Sequence, residues 1–304
     1  MTVRDFDFAR YNRAGASELM GRLASGDTLL VQGAMGSALM SQPGAADVPP
    51  AFWNIAEPQA VRTLHALYAD AGADVLVTNT FQANAPALAR DNVGASVREV
   101  NDAAVRAARS AHSPYVLGSM GPCGIDYFEE DVPSFREARA AYRDQAYALL
   151  VAGADALLLE TFTSIRELVP ALAGAADVAD GMPVLVSFAV NGEGDLLGDG
   201  LNIEAAIVWA EKHGAAAVGT NCCDVEGAEE LVRRMSLAAR TPVMIRPNAG
   251  VPVRTESGDL VWPVSSDAFA ENVVAWRNAG AGLVGGCCGT DARTTCAMRL
   301  ALDD

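Results

Sequence analysis

Two short segments concentrate the residues best able to do chemistry. Gly219-Thr220-Asn221-Cys222-Cys223 and Gly285-Gly286-Cys287-Cys288-Gly289-Thr290 each place a cysteine pair at the end of an apolar run. Three thiolates with one open position make a catalytic type of zinc site, because Zn2+ takes sulfur and nitrogen ligands in a tetrahedron. Adjacent side chains on a regular strand point to opposite faces, so consecutive cysteines share an ion only where the backbone leaves strand geometry. Gly285, Gly286 and Gly289 supply that freedom. The same thiols also read as small buried hydrophobes, and spacing alone leaves both readings open.

Glu160 follows Leu157-Leu158-Leu159, and a carboxylate at the tip of a buried apolar strand needs a partner. A substrate ammonium is one; an internal arginine is the other. Arg246, on another apolar run, has the matching pair of readings: a substrate carboxylate, or an acid inside the protein. His65, His112 and His213 fall in helical stretches, where surface or packing roles are expected. Lys212 is the only lysine and lies late in a helical stretch, which excludes Schiff-base chemistry. No His-Glu-x-x-His, Walker A or Gly-x-Ser-x-Gly pattern occurs, and a zinc hydrolase would lack its usual histidine or carboxylate ligands.

These residues are strung along eight short, nearly continuous apolar runs: Thr28–Met35, Asp74–Phe81, Tyr115–Pro122, Ala156–Phe162, Pro183–Val190, Ala216–Cys223, Pro242–Gly250 and Leu283–Thr290. Such runs read as parallel strands buried on both faces. Helical stretches separate them, among them Pro58–Ala71, Ser134–Val151, Ile203–His213 and Asp267–Asn278. Gly72, Gly153, Gly214 and Gly280 follow four helices, where a left-handed residue ends a helix. Eight βα units in 304 residues predict a (β/α)8 TIM barrel, one domain over residues 1–304. A doubly wound sheet is the alternative, weakened by the lack of a Gly-x-Gly-x-x-Gly after the first strand. Ser41–Ala51 and Asn191–Gly200 read as loops at strand C-termini, where barrel enzymes build their sites.

Composition excludes several partners. With 38 acidic against 22 basic residues and a net charge of −16, the chain lacks the basic surface that nucleic acid or an anionic membrane requires. No run is long and apolar enough for a membrane span, and Met1–Asn12 has no secretory h-region. The six cysteines then read as reduced thiols of a cytoplasmic protein.

In order along the chain stand Gly33-Ala34-Met35-Gly36, Ala71-Gly72-Ala73-Asp74 leading to Thr78-Asn79-Thr80-Phe81, Gly121-Pro122, Glu160-Thr161, Gly219-Thr220-Asn221-Cys222, Pro247-Asn248-Ala249-Gly250 and Gly286-Cys287-Cys288-Gly289. On these phrases the chain resembles the homocysteine S-methyltransferases, which include betaine–homocysteine methyltransferase and the homocysteine module of cobalamin-dependent methionine synthase. The resemblance implies a (β/α)8 barrel and a Zn2+ ion held by Cys222, Cys287 and Cys288, with Cys223, Cys123 and Cys296 outside the ligand set. It implies substrate contacts from Glu160, toward the amino group, and from Gln32, Thr80 and Asn221. The implied activity moves a methyl group from an activated donor to the thiol of homocysteine, giving methionine.

One residue departs from the family pattern. Asp usually precedes the first glycine, where this chain has Gln32; a neutral amide leaves ammonium recognition mainly to Glu160 and opens the way to a different thiol acceptor. The family's betaine enzymes carry an aromatic after the strand-four acid, where Thr161 stands here, which argues against betaine. Little chain follows the last strand (Asp291–Asp304), so neither the betaine enzymes' extension nor the folate and cobalamin modules are expected. The resemblance therefore implies either a stand-alone enzyme using S-methylmethionine or S-adenosylmethionine, or the homocysteine-binding subunit of a split system with a corrinoid protein partner.

Overall fold

The computed structural model describes residues 6–42, 48–127, 132–255 and 260–304. Strands β1 (Leu29–Val31), β2 (Val75–Val77), β3 (Tyr115–Met120), β4 (Ala156–Phe162), β5 (Val184–Ala189), β6 (Ala217–Asn221) and β7 (Val243–Arg246) follow one another in chain order. A small hairpin of β8 (Val253–Arg254) and β9 (Leu260–Val261) then precedes β10 (Ala281–Gly285). All but the hairpin strands pair in parallel into a closed barrel, in the order β1-β2-β3-β4-β5-β6-β7-β10, with β10 returning to β1. The eight expected apolar runs are the eight barrel strands, and the fold is the (β/α)8 barrel rather than the doubly wound sheet.

Alternation along each strand decides what fills the barrel. Leu29 and Val31, Val75 and Val77, Tyr115 and Leu117, Ala156 and Leu158, Leu185, Ala217, Met244 and Leu283 pack as one interior cluster. Their neighbours Leu30, Val116, Leu157, Leu159, Val186, Val218, Ile245 and Val284 pack outward, under the helices. This is the period of two expected of a strand, applied around a closed cylinder.

The surrounding helices are α1 (Arg13–Ala24), α2 (Gly36–Met40), α3 (Trp53–Ala56), α4 (Pro58–Asp70), α5 (Ala85–Arg90), α6 (Val97–Arg109), α7 (Pro133–Ala152), α8 (Ile165–Ala179), α9 (Ile203–Lys212), α10 (Ala228–Ala238), α11 (Ser266–Asn278) and α12 (Ala292–Asp303). Helix α1 precedes the first strand and lays Leu19 and Leu23 against the interior cluster, plugging the N-terminal end of the barrel. Sequence signals mark the helix ends. Ser96 and Glu99 form a reciprocal capping box on α6, and the side chains of Ser164, Asn202, Ser265 and Asp291 cap α8, α9, α11 and α12. Gly72, Gly153, Gly214 and Gly280, the four expected helix stops, all have positive φ, between 92° and 111°.

Two connections depart from expectation, and a third, Asn191–Gly200, is the expected loop. Ser41–Ala51 is only partly a loop, because Pro50 and Ala51 begin a 3-10 turn; residues 43–47 lie outside the described residues. Asn191–Gly200 is folded back on the barrel, bridging Val190 to Leu196 and donating from Gly198 N–H to Thr163 O at 2.8 Å. The β8–β9 hairpin was not expected from the sequence. It exposes Val253, Leu260 and Val261, so its strands lack the polar–apolar alternation that marks a half-buried strand. Among the described residues, no helix is long and apolar enough to cross a membrane.

Candidate metal and substrate site

Continuing the interior series of each strand toward its C-terminus replaces hydrophobes with polar groups: Leu117 gives way to Ser119, Leu158 to Glu160, Leu185 to Ser187, and Met244 to Arg246. These side chains are buried, with Ser119 at 1% and Ser187 at 0% exposure. A cavity of about 290 Å³ opens above them at the C-terminal mouth, the position at which barrel enzymes carry their chemistry. Gln32, Thr80, Glu160, Cys222, Cys287 and Cys288 all line it.

Three thiols meet in its wall. The Sγ atoms of Cys222, Cys287 and Cys288 all lie within 4.8 Å of one another, with Cys222 and Cys287 at 3.1 Å. Both cysteine pairs stand past the end of their strand. β6 stops at Asn221, and Cys222 takes a left-handed conformation with φ 58°. That turn sends Cys222 to the cavity, while Cys223 packs in the core, where burial pushes its thiol up to about 12. β10 stops at Gly285, so Cys287 and Cys288 occupy a turn and are free of strand alternation. Gly289 closes that turn at φ 81°, with the Trp262 ring in the space a Cβ would fill.

Hydrogen bonds fix this turn to its neighbours. Cys287 N–H donates to Pro247 O at 2.7 Å and Cys222 N–H to Arg246 O at 3.1 Å; Cys288 N–H donates to Asn248 Oδ1 at 3.0 Å. Cys287 is held well below the ordinary thiol range by hydrogen bonds from Cys222 and Cys288, with Arg246 adding its charge. Cys222 is pushed up, chiefly by donating to Cys287 and Cys288. The cluster alone therefore favours one thiolate shared by three sulfurs, and full ionisation calls for a cation in their midst. Tetrahedral thiolates about 2.3 Å from zinc stand about 3.8 Å apart, a spacing that lies within the 4.8 Å limit on the three sulfurs. The donor set fits a soft, thiophilic metal, and the cavity offers the open coordination direction of a catalytic site.

Across the cavity, Glu160 is paired inside the protein. Its Oε2 accepts from Arg246 Nη1 at 2.7 Å, Ser119 Oγ donates to Oε1, and Arg246 Nε reaches Gly286 O at 3.3 Å. Glu160 and Arg246 thus form an internal ion pair, one of the two readings open for each. Burial acts against the Arg246 charge, but Glu160 and Cys287 more than offset it and hold the guanidinium above its ordinary value. Ser119 was not singled out from the sequence, although the interior series starting at Tyr115 places it beside Glu160.

Gln32 is fully buried. Its Nε2 donates to Val77 O at 3.1 Å, and its Oε1 lies 3.2 Å from His65 Nδ1. An amide oxygen only accepts, so Nδ1 carries the proton, and Gln32 meets the cavity with its amide already engaged. Thr80 donates from Oγ1 to Ser119 O at 2.7 Å. Asn221, expected to contact substrate, is not among the residues lining the cavity; its amide bonds Thr161 and Ser187. Of the three histidines expected in helices, only His65 lies within one. His112 is in the turn after α6 and His213 caps α9.

His65 makes a prediction of its own. Complete burial lowers its pKa from 6.5 to about 3. Between those values the unfolded chain binds a proton that the folded chain refuses, so this contribution is complete above pH 6.5 and is lost as pH falls toward 3. At about 1.4 kcal/mol per unit, denaturant titrations at pH 7 and pH 5 should differ by about 2 kcal/mol on account of His65. His65→Asn keeps an N–H for Gln32 and should flatten that limb; an unchanged pH slope in the variant would remove His65 as its source.

A family model described as homocysteine S-methyltransferase matches residues 29–302. The methionine synthase of Mycobacterium tuberculosis is 35% identical over 252 residues, which are 78% of this chain and 21% of that protein. This chain therefore spans about a fifth of the length of the mycobacterial synthases that it matches. Homocysteine S-methyltransferase YbgG of Bacillus subtilis is 25% identical over 256 residues, covering 77% of this chain and 81% of YbgG. The metallated form of the homocysteine methyltransferase MmuM from Escherichia coli superposes with a TM-score of 0.76 at 25% identity, over 93% of this chain and 99% of that one.

Proposed function

The chain belongs to the homocysteine S-methyltransferase family, and from that premise we propose that it is a zinc-dependent enzyme methylating the thiol of homocysteine to give methionine, with one barrel domain over residues 1–304 carrying the whole site. The observation that carries this reading is the convergence of Cys222, Cys287 and Cys288 on the wall of the mouth cavity. Zinc held there would bind the acceptor thiol and keep it as a thiolate at neutral pH, ready to attack a methyl carbon. Cys222, Cys287 and Cys288 would be its ligands, and all three line the cavity. Glu160 would receive the amino group of the acceptor with its carboxylate already oriented by Arg246 and Ser119, while Gln32 and Thr80 shape the pocket wall. A cavity of about 290 Å³ suits a small amino acid, being at the low end of ligand pockets.

For the donor, S-methylmethionine or S-adenosylmethionine is proposed over betaine, on the Thr161 argument. The decisive assay supplies homocysteine with each free donor in turn and measures methionine, beside metal content. Turnover with S-methylmethionine in a protein holding about one zinc per chain supports the reading; full turnover after complete metal removal rejects it.

A second reading has its own observation. Val251, Val253, Leu260 and Val261 are at least half exposed on the segment around the β8–β9 hairpin, whose neighbour Trp262 packs on Gly289 beside Cys288. An apolar rim at the mouth suits a docked protein, such as a corrinoid protein carrying the methyl group. Turnover only when a methylcobalamin-loaded protein is added would favour it; turnover with a free donor alone would reject it. Cytoplasmic location is proposed from the unpaired thiols.

A further inference from the structure

Asn221 is fully buried at the end of β6, and its one amide serves both halves of the site. Its Oδ1 accepts from Thr161 N–H at 3.0 Å and from Ser187 Oγ at 2.7 Å. Its Nδ2 donates to Thr161 Oγ1 at 2.7 Å, to Cys222 Sγ at 3.3 Å and to Cys287 Sγ at 3.7 Å.

Thr161 directly follows Glu160 and has φ 64°. A β-branched residue holds that left-handed conformation only when its surroundings impose it. At the same place the β4–β5 register slips, between Leu159 and Phe162. Asn221 grips Thr161 twice, by backbone and by hydroxyl, at the point where the strand twists Glu160 toward the cavity. Its remaining donor capacity is turned on two of the three clustered sulfurs. An N–H donor on a ligating sulfur both aims it and withdraws electron density from it.

We infer that Asn221 is a positioning residue that couples the two halves of the site, clamping the Thr161 bend behind Glu160 and orienting Cys222 and Cys287 toward a bound metal. The sulfur half of this role rests on the metal reading above; the clamp does not.

The test uses the full chain loaded with cobalt(II), whose sulfur-to-metal charge-transfer band reports the thiolates directly. Asn221→Asp keeps an oxygen for Thr161 N–H and Ser187 but cannot donate to sulfur. Its band should move to lower energy while the Thr161 amide stays protected from hydrogen exchange. Asn221→Ser is too short for either task. It should bind cobalt about tenfold more weakly or worse and lose protection at Thr161. Ser187→Ala removes one bond to the same amide and serves as the merely structural disturbance, with the band unmoved. An Asp variant whose band matches the parent, or a Ser variant that keeps both cobalt affinity and Thr161 protection, overturns the assignment. A parent chain that takes up no cobalt overturns the metal reading and the sulfur half with it, and Thr161 exchange in the Ser variant then decides the clamp alone.

Discussion

Cys287→Ser should fold as the parent does, hold almost no zinc and transfer methyl groups roughly a thousandfold more slowly. Cys287 is central to the cluster: it receives hydrogen bonds from both other thiols and from Asn221, and Arg246 favours its ionised form. A serine hydroxyl stays protonated at neutral pH and is a hard, weak ligand for a metal that selects thiolates. Metal activation of a nucleophile is worth several kcal/mol, or roughly three powers of ten in rate. Cys223→Ala is the matched control, because Cys223 belongs to the core cluster and lies off the cavity lining; it should keep its metal and most of its rate. Metal analysis, circular dichroism and a homocysteine methylation assay on the two proteins decide the matter. Equal zinc content in both would refute the ligand assignment.

Arg246→Met should cost about 3–5 kcal/mol of stability, the usual penalty for leaving one member of a buried ion pair alone. Glu160 is 6% exposed and Arg246 4% exposed, so solvent cannot take over the role of the missing partner. Adding Glu160→Gln should restore most of that loss, since a buried pair replaced on both sides by neutral groups of similar size is often neutral for stability. Ser119 can still donate to the new amide oxygen. Urea unfolding of the single and double variants closes the cycle, and additive effects would mean that the pair is not coupled. Loss of homocysteine binding in the restored double variant would then belong to recognition by Glu160 rather than to folding.

The architecture was legible because barrel strands and helix stops are local statements. β4 runs over Ala156–Phe162, as its unbroken apolar string suggests, and each Ala-Gly or His-Gly stop is a left-handed glycine. β1 and β2 are shorter than their apolar runs, although Gln32 N–H and Thr78 N–H still donate to Val75 O and Leu117 O on the neighbouring strands. The site was legible only in part. Parity along a strand points Ser119, Glu160 and Arg246 inward, but that Arg246 meets Glu160, 86 residues earlier in the chain, follows only once the cylinder is closed. Convergence of Cys222 with Cys287 and Cys288 depends on a left-handed cysteine, a conformation that nothing in a Cys-Cys pair announces. Gln32 likewise gave no hint of His65, which lies one α4 turn beyond Val61 and meets Gln32 Oε1 through Nδ1.

The barrel closes where Leu29, Leu30 and Val31 of β1 meet Leu283, Val284 and Gly285 of β10. Seen as kinetics, that seam joins nearly the whole length of the chain, and contacts so distant in sequence form late and slowly. Cys287 and Cys288 follow β10 directly, and only β7 stands between β10 and β6, so their thiols meet Cys222 wherever β6, β7 and β10 lie side by side. Assembly of the thiol cluster thus depends on the β6–β7–β10 side of the cylinder and not on its closing seam. A chain truncated before β10, however helical, would leave Cys222 without its two companions.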